Sequence, residues 1–297
     1  MPSARTASRR RPLGLAPFLW VALLLYVAFL VYPVLNSLWT SFTDKNPLRA
    51  ESSFVGFDNY SEMLTDERLR ASLLFTVVVV VVVTLIANAI GLGFALLLNR
   101  QSVGYRVMRT LIFIPQVLSG VIVAIIWRSI LTENGLLNAV LQRIGVTSTP
   151  VSWLGSTEMA TLSLCAVVSW ITIAFATVVY SASLRSVPPS LYEAAKMDGA
   201  GAVSRFRNVT FPMIAPGTTI TVVLCLITTF KLYDVIAVLT GGGPANTTQS
   251  TAYYLIQLAF TNNLFGYSSA VAMLLLALTA GIAYLVTNVL RKREARL

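Results

Sequence analysis

The residues best placed to do chemistry interrupt a long apolar run near the C-terminal third, where the chain reads Thr228-Thr229-Phe230-Lys231-Leu232-Tyr233-Asp234. Polar and charged side chains inside such a run are costly and mark a functional site by default. Helical spacing puts Thr229, Tyr233 and Ile236 near one face. Lys231 and Asp234, three apart, can pair with each other, or Lys231 can serve an anion. Hydroxyls of this kind can hydrogen-bond a polar molecule without burying a charge. The chain has no histidine, so imidazole catalysis and His-based metal sites are excluded. Its two cysteines, Cys165 and Cys225, sit in apolar stretches and read as reduced packing residues. No Gly-x-x-x-x-Gly-Lys-Ser/Thr phosphate loop occurs, so nucleotide hydrolysis is not this chain's own.

A second cluster lies just before that run, in a polar connection that includes Pro188-Pro189-Ser190-Leu-Tyr-Glu193-Ala194-Ala195-Lys-Met-Asp198-Gly199-Ala200 and continues through Phe206 and Phe211 to Pro212. The two prolines oppose continuation of the preceding helix. Ser190 and Glu193 have the spacing of a capping box, and Gly199 tolerates the positive φ that stops a helix. Ala194 and Ala195 between them would let another protein approach the backbone closely. On local physics two readings stand level: a surface turn that only connects two spans, and a compact knob for a partner.

The elements that must position these clusters are membrane helices. Hydrophobic residues make up 56% of the 297 and charged ones 11%, where soluble domains carry about a quarter charged. Six stretches approach the roughly 20 residues that span a hydrocarbon core: 13–35, 72–98, 108–131, 157–182, 213–239 and 266–290. The valine run 77–83 has strand propensity in water, but an open strand in lipid leaves its backbone unpaired, so helix is expected. The fold class is therefore an all-α membrane protein, with a basic N-terminus 1–12, a membrane domain 13–290 containing the connection 183–212, and a basic tail 291–297. The first span is longer than a signal-peptide core and is read as retained. Small residues Gly91, Gly93, Ser119 and Gly120 read as close helix contacts.

Basic residues near span ends stay on the cytoplasmic side. Arg5, Arg9, Arg10, Arg11, Arg100, Arg106, Arg109, Arg185, Lys196, Arg205, Arg207, Arg291, Lys292, Arg293 and Arg296 fall on one side under this topology. Only Lys45, Arg49, Arg68, Arg70 and Arg143 fall on the other, where Asp44, Glu51, Asp58, Glu62, Asp66 and Glu67 make the first connection acidic. Both termini are thus expected in the cytoplasm. The net charge of +10 is a topology signal and not a nucleic-acid footprint, because it follows span ends and not one amphipathic face.

Glu193-Ala194-Ala195, Gly199 and Val209-x-Phe211-Pro212 resemble the Glu-Ala-Ala loop of binding-protein-dependent ABC importer permeases, with Val and Phe replacing the usual Ile and Leu. Asp198, Ala200 and Phe206 resemble the carbohydrate-uptake version, the maltose and glycerol-phosphate permease-like group. Phe54-Val55-Gly56-Phe57-Asp58-Asn59-Tyr60 and Leu239-Thr240-Gly241-Gly242-Gly243-Pro244 extend the likeness over nearly the whole chain. The resemblance implies a type I importer permease fold in a bacterial cytoplasmic membrane, with the loop seated on a separate ATPase that carries ATP and Mg. It implies a second homologous permease, two ATP-binding subunits and an extracytoplasmic substrate-binding protein. It also implies a sugar pocket formed by Thr228, Thr229, Lys231, Tyr233 and Asp234 together with Trp170, Thr172 and Phe175. A glycerol-3-phosphate or related polyol phosphate is the alternative cargo. A secondary transporter is disfavoured, since Asp234 is the one acid near mid-span and no inverted repeat of broken helices is evident.

Overall fold

The computed structural model describes residues 16–98 and 102–294, with side chains described from residue 19. Arg5, Arg9, Arg10, Arg11, Arg100 and Arg296, and with them the basic N-terminus 1–12, lie outside the described residues. The chain is helical, and among the described residues the β-structure amounts to one isolated bridge between Thr43 and Phe54. In order, α1 (Ala16–Tyr26) runs through a π-helical turn (Val27–Val31) into α2 (Tyr32–Thr40). Then follow α3 (Asp58–Thr65), α4 (Glu67–Leu97), α5 (Val103–Val117), α6 (Gly120–Ile130) and α7 (Leu136–Arg143). Next come α8 (Thr157–Arg185), α9 (Pro189–Met197), α10 (Ala202–Arg205), a π-helical turn (Phe206–Thr210) and α11 (Phe211–Met213). The chain closes with α12 (Ala215–Phe230), α13 (Asp234–Leu239), α14 (Thr251–Phe260) and α15 (Phe265–Glu294). We call the Glu67 end of α4 the upper end and its Leu97 end the lower.

Four segments are individually long and apolar enough to cross a membrane: Leu19–Thr40, Glu67–Leu97, Thr157–Arg185 and Phe265–Glu294. The third and fifth expected spans are not straight rods. Val103–Val117 and Gly120–Ile130 meet at 101°, and Ala202–Met213 meets Ala215–Phe230 at 66°, so six spans result if each bent pair counts as one. The third breaks at Leu118 and Ser119, three residues past Pro115, and the Ser119 hydroxyl restarts the helix by accepting from the amide of Ile122 at 3.3 Å. The fifth breaks again at Lys231 to Tyr233, between α12 and α13.

The valine run is helical, and the bundle divides it. Val79, Val80 and Val83 are buried, while Val77, Val78 and Val81 stay exposed, as the 3.6-residue period requires of one helix side. α4 packs along α8 through small residues: a Cβ on Gly91 would sit 2.6 Å from the Ala176 Cβ, so the backbones touch there. Gly93 faces open space and makes no such contact, contrary to expectation. The Tyr180 hydroxyl donates to Asn88 across the same seam at 2.7 Å. Cys165 and Cys225 are both free and buried.

At the upper end the connections are folded. Asn59 donates to the carbonyls of Ser41 and Thr43 at 2.8 and 2.9 Å, and the Gly266 amide donates to the Lys45 carbonyl at 3.1 Å. Asp66 caps α4 through the amides of Arg68 and Leu69 and accepts from the hydroxyls of Tyr254 and Tyr267 at 2.7 and 2.6 Å. That one carboxylate ties α4, α14 and α15 together.

Candidate functional site

The two breaks lie side by side. A Cβ on Gly120, the first residue of α6, would come within 2.8 Å of the Asp234 carboxyl carbon, and the Arg128 guanidinium donates to the Val238 carbonyl at 3.2 Å. α6 and α13 are thereby joined over their length. Below this junction opens a cavity of about 410 Å³, walled by Gln116 and Gly120, by Val168, Ile171, Thr172 and Phe175 of α8, by Leu224, Thr228 and Thr229 of α12, and by Leu232, Asp234 and Val235. Its size falls within the range of small-molecule sites.

Two hydroxyls of this wall, those of Thr172 and Thr228, are already committed as donors. Thr172 donates to the Val168 carbonyl at 2.7 Å and Thr228 to the Leu224 carbonyl at 2.8 Å. Their lone pairs remain as acceptors, and Gln116 adds a donor and an acceptor. Phe175 supplies an aromatic surface that suits the C–H face of a ring. The arrangement can hold a polyhydroxylated molecule without burying a countercharge.

Five of the eight expected pathway residues meet here: Thr172, Phe175, Thr228, Thr229 and Asp234. Three do not. Trp170 lies off the cavity, edge-to-face with Trp127 at 5.6 Å. Because the helix ends at Phe230, Tyr233 leaves the face of Thr229 and stacks on Tyr253 at 5.9 Å. Lys231 lines a separate cavity of about 350 Å³ with Leu255 and Thr279, and no ion pair joins it to Asp234 among the described residues. The pair that their spacing allows does not form, for the same reason: three residues apart brings side chains together only on a continuous helix. Gln116 was not anticipated, although a lone amide within an apolar run carries that signal.

At the lower end the connection folds into a bracket. α9 starts at Pro189, whose fixed φ suits a first helical position, so Ser190 lies inside the helix and forms no cap. The stop is the expected one: Gly199 has φ +76, with Gly199 N–H on the Lys196 carbonyl at 3.0 Å and Ala200 N–H on the Ala195 carbonyl at 2.9 Å. Glu193, Ala194, Asp198 and Gly199 are exposed. Tyr192 and Thr210 hydroxyls bond at 3.2 Å, Phe206 packs against Phe211 at 6.0 Å, and Arg293 of α15 lies over the Phe211 ring at 5.9 Å. Pro212 sits in the first turn of α11. Met197 and Val203, 89% and 80% exposed, give this bracket an uncovered apolar surface.

Residues 87–295 match the family of binding-protein-dependent transport system inner membrane components. The chain belongs to that family. The match covers the cavity, the lower bracket and the helices from the second half of α4 onward. The permease is 34% identical over 286 residues to the trehalose/maltose transport system permease protein MalF of Thermococcus litoralis, covering 94% of each chain. It is 32% identical over 284 residues, again 94% of each, to the probable starch degradation products transport system permease protein AmyD of Thermoanaerobacterium thermosulfurigenes. A bacterial ABC transporter structure in complex with an alginate pentasaccharide-bound periplasmic protein contains a chain that superposes with TM-score 0.84 over 96% of both, at 21% identity, which establishes the type I importer fold. Relatives of this kind are non-catalytic transport subunits, and the permease is a multi-pass membrane protein of the same class.

Proposed function

We propose that the permease forms one half of the membrane path of an ATP-driven importer for a sugar or oligosaccharide. The observation that carries this is the cavity at the paired helix breaks, whose hydroxyl, amide and aromatic wall matches carbohydrate chemistry. Relatives named for maltose, trehalose and starch products support the cargo class. A second homologous permease closes the path, an extracytoplasmic binding protein delivers cargo at the upper end, and two copies of a separate ATPase bind at the lower end. ATP and Mg belong to that ATPase.

The bracket around α9 is the coupling element. Glu193, Ala194, Ala195, Asp198, Gly199 and Ala200 form its capped tip, and Phe206 and Pro212 fix its base to the bundle. Exposed Met197 and Val203 on a polar connection suit the surface of a protein partner. The basic lower end faces the cytoplasm, and closure of the ATPase pair swings the path between inward-facing and outward-facing states.

The test is sugar uptake into proteoliposomes holding the reassembled complex and its binding protein. Phe175→Ala is expected to lower uptake roughly tenfold, the scale of one lost aromatic contact, with ATP hydrolysis retained. Unchanged uptake in this variant and in Thr228→Val would remove the cavity from the path.

A further inference from the structure

The cavity wall contributed by this chain has one charged side chain, Asp234, and its place is unusual. The carboxylate lies against Gly120 at the amino end of α6, an 11-residue helix whose free amides and dipole make that end positive. Such an end is a natural seat for a phosphate or carboxylate ligand. Here the chain caps that end itself, through the Ser119 hydroxyl on the Ile122 amide, and sets the Asp234 carboxylate beside it. The one cation near in sequence, Lys231, opens into the other cavity and offers nothing to an anion in this one.

We propose that Asp234 is a charge-selecting residue. Its negative charge lies beside the positive end of α6 that an anionic cargo would otherwise use, and on the wall that faces the cargo. The path is thereby fitted to uncharged carbohydrate and closed to sugars that turn a phosphate or carboxylate toward α6. Specificity of this kind comes from a built-in repulsion and not from an added attraction. Asp234 is half-buried on the cavity wall, so its repulsion of a like charge in the cavity is only partly screened. The inference rests on the cavity being the cargo path, and it removes the polyol phosphate alternative.

The experiment uses the assembled complex in lipid nanodiscs and saturation-transfer NMR, which reads weak binding. The probes are maltose, trehalose and lactose, each beside its counterpart oxidised at C6 from alcohol to carboxylate. In the wild type the neutral member of at least one pair should bind on the order of tenfold tighter. Asp234→Asn should shrink that preference to within about threefold, through a gain in carboxylate binding. Thr228→Lys, which adds a cation to the same wall and leaves Asp234 in place, should do likewise if the first variant does not assemble. Equal binding of neutral and oxidised sugars to the wild type, or a preference untouched by both variants, overturns the proposal. Phe175→Ala separates the two levels of failure. If it weakens both members of a pair while the wild type accepts the carboxylate freely, only charge selection falls. If it changes neither, or if no sugar binds the wild type, the cavity is not the path and both readings fall.

Discussion

Asp66 shows how much a single side chain can carry at the upper end. Burial works to raise its pKa, yet the hydroxyl of Tyr267, the amide of Leu69, the hydroxyl of Tyr254 and the amide of Arg68 together outweigh it and hold the carboxyl below its ordinary value. A lowered folded-state pKa means stability that is present above the unfolded value, about 3.9, and lost as pH falls through the folded one. Asp66→Asn keeps the shape but gives up charge-assisted hydrogen bonds, and its melting temperature in detergent is expected to drop by on the order of 5 °C at neutral pH. The gap to wild type should close as the buffer is taken toward pH 3. A constant gap across that range would show that the carboxylate's charge is not what holds α4, α14 and α15 together. Nothing in the sequence around Asp66 announced this role, because the two tyrosines lie 188 and 201 positions away. By contrast Thr228 and Thr229 were legible as polar residues in an apolar run, since cost in lipid is a property of the residue itself, whereas Thr172 and Phe175 came from the family resemblance.

At the scale of elements, continuity of helices decided which expectations held. Every span was visible from its apolar length, and α4, α8 and α15 fall within a few residues of the expected bounds. The breaks were not, and with them went the positions of Lys231 and Tyr233, because a face assigned at 100° per residue has no meaning across Leu232. Local chemistry read the α9 stop correctly through Gly199 and misread its start, where Pro188 holds the cap position given to Ser190 and Pro189 opens the helix. This helix end yields a sharp prediction. A Cβ at Gly199 meets nothing within 4 Å, so Gly199→Ala pays only for positive φ, about 1 kcal/mol, and should leave coupling near normal. Gly199→Trp should insert at wild-type levels yet cut substrate-stimulated ATP hydrolysis in the complex at least about tenfold, because its bulk projects into the partner's space. Full stimulation in the Trp variant would mean that no partner seats against the tip.

For the whole molecule, charge at the span ends predicts which side each connection occupies. Cys165 and Cys225 are buried, so a membrane-impermeant maleimide meets little background. In right-side-out vesicles, a cysteine replacing exposed Glu51 should be labelled directly, and one replacing exposed Asn208 only after the membrane is opened. The reverse pattern would invert the permease and with it the direction of transport. The fold alone leaves cargo charge undecided, since a chain of the same architecture serves an importer of an acidic polysaccharide. One further consequence follows from the break in the fifth span. Its Leu232 carbonyl is satisfied by the hydroxyl of Ser250 at 2.5 Å, and Thr76 bonds both the amide and the hydroxyl of Thr251. A growing chain that has released residue 239 but not residue 251 therefore holds an open helix end with no partner in lipid. An unpaired carbonyl is costly in lipid, so that break is completed only when Ser250 folds back onto it.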